Sequence, residues 1–136
     1  MFKWEEFIKV SKSLEKYAKV NSTVSEGFYR TAVSRAYYAA FHSSLSYAMY
    51  RGYDEKMQRH ILKRKKMPNA GKHKVLISFL LDDPHPQVKQ LGLKLQSSHD
   101  YRIKSDYYGD ISIDHRFVQL AFLYTDSIHD LIPKLP

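Results

Sequence analysis

Cysteine is absent from this chain. That excludes disulfides, thiolate metal sites and a cysteine nucleophile, and it suits a reducing compartment. No apolar run approaches about 18 residues, so no segment is expected to span a membrane. The opening residues, Met1-Phe-Lys-Trp-Glu-Glu-Phe-Ile, lack the apolar stretch of a signal peptide. The expectation is a soluble cytoplasmic protein without a membrane partner. The patterns GxxxxGK[ST], GxGxxG and HExxH are missing too, so neither a phosphate-binding loop nor a zinc protease site is suggested. Strand-type alternation, internal repeats and low-complexity tracts are likewise missing.

What is present is helical periodicity over most of 136 residues, a length that suits one domain around one core. A first helix is expected from about Phe2 to Val20, with Trp4, Phe7, Ile8, Leu14 and Ala18 inward, broken by Asn21-Ser22-Thr23. Thr23 or Ser25 offers an N-cap for a second helix running to about Tyr50, and Gly52 suits its stop. The stretch from Tyr53 to Gly71 is basic and ends in Met67-Pro-Asn-Ala-Gly71. It is expected to be a mobile connection with little regular structure. A third helix over about Lys72 to Leu81 presents Val75, Leu76, Phe79 and Leu80. Asp82-Asp-Pro-His-Pro86 is a break, and Pro86 suits the first turn of a fourth helix reaching about Tyr107. Ser112 is expected to cap a fifth, to about Leu131, with Phe117, Leu120, Ala121, Tyr124 and Ile128 inward. The expected class is all-α, an antiparallel bundle of four to five helices whose spine is two long ones.

The net charge of +8 is local. Between Arg51 and Lys74 nine basic residues face only Asp54 and Glu55, so this segment carries +7 and the rest of the chain +1. Arg59, Lys63, Arg64, Lys65 and Lys66 form the centre of the patch. Such a patch attracts phosphate backbones without reading sequence; a solvated connecting loop has the same composition.

Two helical faces carry chemistry. Arg35, Tyr38 and His42 stand at i, i+3 and i+7, among Ala32, Ala36, Ala39 and Ala40. His99, Arg102 and Asp106 repeat that spacing on the fourth helix, followed by Tyr107 and Tyr108. Burying an arginine or a histidine among alanines is costly without a partner, and Asp106 is a counter-ion for Arg35 or Arg102. Two readings follow. One is a polar clamp that fixes helix register. The other is an anion site, with Arg35 and Arg102 on phosphate oxygens and Tyr38, His42, Tyr107 or Tyr108 donating hydrogen bonds or positioning a sugar or base. Seven histidines invite a metal reading. However, the His99-Asp100 and His129-Asp130 dipeptides lack the further ligands a metal-dependent phosphohydrolase needs. No metal or other cofactor is expected. Tyr37, Tyr47 and Tyr124, at helical spacing, are expected in the core or an interface.

The segments Arg35-Ala-Tyr-Tyr38-Ala-Ala-Phe41-His42 and Arg102-Ile-Lys-Ser-Asp106-Tyr107, in this order on an all-helical chain, resemble the signatures of the HEPN superfamily, in particular its small stand-alone members. Gly71-Lys-His73 and Phe79 add to the likeness, which covers about Lys3 to Leu131. The resemblance implies a helical bundle that forms a homodimer. It also implies binding of RNA or nucleotide, with metal-independent ribonuclease activity in many members. Some members are toxins paired with a nucleotidyltransferase-type antitoxin. The family's catalytic motif is an arginine followed, after four to six residues, by a histidine. Arg102 matches the arginine, but Tyr107, Tyr108 and Gly109 occupy the positions of the histidine. Tyrosine, with a pKa of about 10, is a poor general base at neutral pH. The catalytic candidates are therefore Arg102, Tyr107 and His42, with His99 as another source of imidazole. The alternative function is a non-catalytic module that binds a nucleotide or a protein. In some family toxins the partner transferase modifies a nearby tyrosine, and Tyr107 and Tyr108 are the candidates for that role.

Overall fold

The computed structural model describes residues 1–21 and 23–136; Ser22, in the expected break after the first helix, lies outside them. The chain folds as six packed α-helices: α1 (Glu6–Val20), α2 (Ser25–Tyr50), α3 (Glu55–Arg64), α4 (Lys72–Leu81), α5 (Pro86–Tyr107) and α6 (His115–Leu131). A 3₁₀ turn, Ile132–Lys134, follows. The all-α class holds, and no described residue is in a strand. No helix of the described residues is long and apolar enough to cross a membrane.

The 26-residue α2 is the spine, touching α1, α4, α5 and α6. Its alternation of alanines with large residues lets neighbours approach on several sides. Tyr37, Ala40, Phe41 and Ala48 pack with Leu76, Leu80, Leu91 and Leu95 of α4 and α5. Ala32, Val33 and Ala36 pack with Val118, Ala121 and Phe122 of α6. All four alanines around the polar face are thus covered inside the bundle. Gly92 sets the α4–α5 approach: a Cβ there would lie 3.0 Å from the backbone nitrogen of Leu81.

Several expectations change. The basic connection contains a helix, α3. Asp54 caps it, its carboxylate accepting from the Met57 amide at 2.7 Å, and Ile61 is buried in the core with Met57 and Leu62 packed against it. Three apolar residues suffice because the helix need anchor only one stripe. Its last turn carries Lys63 and Arg64, which suit the negative end of the helix dipole. α3 ends in a Schellman turn: Met67 N–H bonds Leu62 C=O at 3.0 Å and Lys66 N–H bonds Lys63 C=O at 3.2 Å. Lys66 therefore takes the left-handed conformation, at φ 53°. The same turn closes α2, with Gly52 at φ 97°.

Capping differs elsewhere too. Val24, not Thr23 or Ser25, occupies the N-cap of α2 and makes no side-chain bond. Asp114, not Ser112, caps α6, accepting from Phe117 N–H at 2.9 Å. The first helix begins at Glu6 rather than Phe2, leaving Trp4 37% exposed instead of inward. Leu120 is on the outer face of α6.

Candidate functional site

The two polar faces do meet, along the seam of α2 and α5, but they divide the work between them. On α5, Arg102 is only 9% exposed. Its Nη2 donates to the Tyr38 hydroxyl at 2.9 Å. Its Nε lies 2.8 Å from Asp106 Oδ2. That distance makes an ion pair, yet the N–H axis misses the carboxylate and Nε has no hydrogen-bond acceptor among the described residues. Asp106 also accepts from Ser34 of α2 at 3.3 Å. Of the two counter-ion choices, Asp106 serves Arg102. The Arg102 guanidinium also lies over the rings of Tyr38 and Tyr107, at 5.2 and 5.5 Å. This is a clamp across the helix seam, and it orients Tyr38.

Arg35 sits on the other side of Tyr38. Its guanidinium carbon is 5.0 Å from the centre of the Phe7 ring and 5.2 Å from that of Tyr38. Cation–π contacts hold it; no carboxylate among the described residues pairs with it. Together with Trp4, Phe7, Tyr38, His42 and Lys72 it lines a cavity of about 460 Å³. Arg35, Tyr38 and His42, one face of α2 by their spacing, thus share one hollow. Lys72 opens α4, whose first turn has no acidic residue and whose N-cap, Gly71, offers no side chain. The lysine ammonium lies 5.8 Å over the Phe41 ring and has no carboxylate partner among the described residues. The hollow therefore has aromatic walls and two free cations.

His42 lines the hollow, and two further imidazoles lie against Tyr37. His42 stacks on Trp4 with ring centres 3.5 Å apart and planes 9° from parallel. Burial, and then the charge of Lys72, hold His42 below the usual histidine pKa. Deeper, His73 of α4 stacks on His99 of α5 at 5.3 Å. Burial pushes His73 down to about 4, helped by His99 and Arg102. His99 is lowered by burial and by Arg102. Buried Tyr37 lies with its hydroxyl 2.8 Å from His73 Nδ1. Which of the two donates is set by the His73 tautomer. Burial raises the Tyr37 pKa far above the usual phenol value, which keeps the phenol protonated.

Tyr107 and Tyr108 are exposed at the end of α5, Tyr107 by 66%. Arg30 organises this end. It donates to the carbonyls of Ser105 at 2.9 Å, Tyr108 at 3.0 Å and Ile111 at 2.7 Å, and pairs with Glu26 at 3.0 Å.

The basic segment is less free than its composition suggests. Arg64 and Lys65 both pair with Asp82, at 2.6 and 3.0 Å, Arg51 pairs with Asp83 at 2.8 Å, and Arg59 stands 4.0 Å from Glu55. Folding brings Asp82 and Asp83 from the far end of α4 against α3, which sequence separation hid. Only Lys63 and Lys66 of the five patch residues have no carboxylate partner among the described residues. No group of three or more acidic or histidine side chains there forms a metal site.

Sequence reasoning missed Trp4 and Lys72 as parts of one site: Trp4 precedes α1 and Lys72 opens α4, and only packing places them against the α2 face. Compared with protein families, curated proteins and solved structures, the chain matches none.

Proposed function

We propose that the protein is a HEPN-like binding module whose α2 hollow takes a phosphate-bearing ligand, single-stranded RNA or a nucleotide. The observation that carries this reading is Arg35. It is a guanidinium held over two aromatic rings, lining a hollow that Lys72 also lines, with no carboxylate partner among the described residues. Arginine binds phosphate oxygens through paired N–H groups, and a hollow of this size suits a small ligand. Arg102, engaged by Tyr38 and Asp106, supports the hollow rather than the ligand. Lys63 and Lys66 extend the basic surface for a longer strand. A second copy of the chain and a nucleotidyltransferase-type antitoxin belong to this proposal as partners, on the strength of the two HEPN-like signatures. The test is anisotropy of a labelled single-stranded RNA across salt concentrations. Log affinity should fall against log salt with a slope of about −1.4 or steeper, about 0.7 for each phosphate neutralised by Arg35 and Lys72. Salt-independent or absent binding contradicts it.

His99 favours a second reading, a metal-independent ribonuclease. Its imidazole is held uncharged beside Arg102, and a neutral imidazole can take the proton of an attacking 2′-hydroxyl. Cleavage of RNA in EDTA by the wild type, lost in His99→Gln, would establish it; an inactive wild type leaves the binding module.

A further inference from the structure

The Trp4–His42 stack is not explained by core packing. Trp4 precedes α1, is 37% exposed, and has no hydrogen bond to its indole N–H among the described residues. Its ring packs on aromatic neighbours, Phe2 edge-on at 5.1 Å and Phe7 at 5.6 Å. Yet it lies flat on His42 at 3.5 Å, the separation of stacked bases, at the edge of the hollow that contains Arg35 and Lys72. Trp4 and His42 also border a second hollow of about 380 Å³, with Glu5, Ser43, Ser46 and Tyr47. The ring pair is thus shared by two hollows.

We propose that Trp4 and His42 form a nucleobase subsite, in which a base inserts between indole and imidazole while its phosphate rests on Arg35 and Lys72. This rests on the phosphate-binding reading and narrows it to ligands that carry a base. Indole and imidazole are flat and apolar-faced, so either can stack on any base; His42, kept uncharged by burial and by Lys72, adds no repulsion to the cations already present. Turning the Trp4 indole breaks ring contacts with Phe2 and Phe7 but no side-chain hydrogen bond, so an inserted base replaces one stack by two. Stacking on aromatic side chains is sequence-tolerant, and purines, with the larger ring system, gain most.

The chain has a single tryptophan, so its fluorescence reports this subsite alone. The experiment titrates the protein with AMP and, separately, with ribose 5-phosphate, following Trp4 fluorescence and heat of binding together. AMP is expected to quench Trp4 saturably and to bind about tenfold or more tighter than ribose 5-phosphate, which should bind without quenching. In Trp4→Leu, which keeps apolar bulk, AMP should fall to the affinity of ribose 5-phosphate. Equal affinity of the two ligands in the wild type, or AMP binding that leaves Trp4 fluorescence unchanged, overturns the base subsite and leaves the phosphate reading standing. Absence of both heat and Trp4 quenching, with AMP and with ribose 5-phosphate alike, fails the phosphate reading itself, and the subsite with it.

Discussion

Arg102 of α5 gives its Nη2 proton to the hydroxyl of Tyr38 on α2, at 2.9 Å. The most buried guanidinium of the two polar faces is therefore directed into protein, and the cation left facing the hollow is Arg35. Removing the acceptor tests this. Tyr38→Phe leaves Arg102 buried with one fewer partner and should lower unfolding stability by about 1.5–3 kcal/mol, the range for hydrogen bonds to charged groups. Urea denaturation checks it; an unchanged midpoint would mean the guanidinium finds water there instead.

Arg30 should matter more for folding than its place on a helix surface suggests. Its forked N–H groups satisfy carbonyls at the end of α5 and in the following loop, groups that a helix C-terminus otherwise leaves orphaned. Arg30→Ala is expected to cost about 1–3 kcal/mol. Arg30→Lys should recover less than half of that, because one ammonium cannot bridge the same set of oxygens. Thermal melts of the three proteins decide it.

Lys66 offers the opposite sign. It holds the left-handed position of the turn that closes α3, at φ 53°. Glycine adopts that conformation without the cost of roughly 1–2 kcal/mol that a side chain brings. After the greater flexibility of unfolded glycine is subtracted, Lys66→Gly should stabilise by about 0.5–1 kcal/mol. A lower melting temperature would show that the lysine side chain makes a compensating contact.

Stability should fall in mild acid. His73 has a folded pKa of about 4, against about 6.5 in an unfolded chain. Above pH 6.5 both states are uncharged and nothing is lost. As the pH drops from 6.5 toward 4, the unfolded chain takes up a proton that folded His73 refuses, so unfolding gains. His42, His99 and His129 are lowered too, each chiefly by burial, and act in the same direction. Urea midpoints at pH 7.5 and pH 5 should differ accordingly, and the difference should shrink in His73→Gln.

Much of the fold is legible in the sequence because α2, α4, α5 and α6 carry their own punctuation. Gly52 closes α2 and Pro86 opens α5 at the expected places. α3 is not, because ten residues rich in Lys and Arg conceal a stripe made of Met57, Ile61 and Leu62, and its meaning depends on a core built elsewhere. The site divides in the same way. Spacing along one helix puts Arg35, Tyr38 and His42 on one face, and the structure places all three around one hollow. Pairing across helices does not follow from spacing: which arginine takes Asp106, the approach of His73 to Tyr37, and the neutralisation of Arg64 and Lys65 by Asp82 are products of packing.

On the proposed reading Arg35 is a ligand-binding cation and not a structural one. It makes no ion pair or hydrogen bond among the described residues, so Arg35→Ala should fold normally, and its melting temperature provides the control. The decisive measurement is the affinity of wild type and Arg35→Ala for the same labelled single-stranded RNA at low salt. A loss of about tenfold or more, with the melting temperature held, is the result expected; equal affinity of the two proteins would show that Arg35 does not bind the ligand.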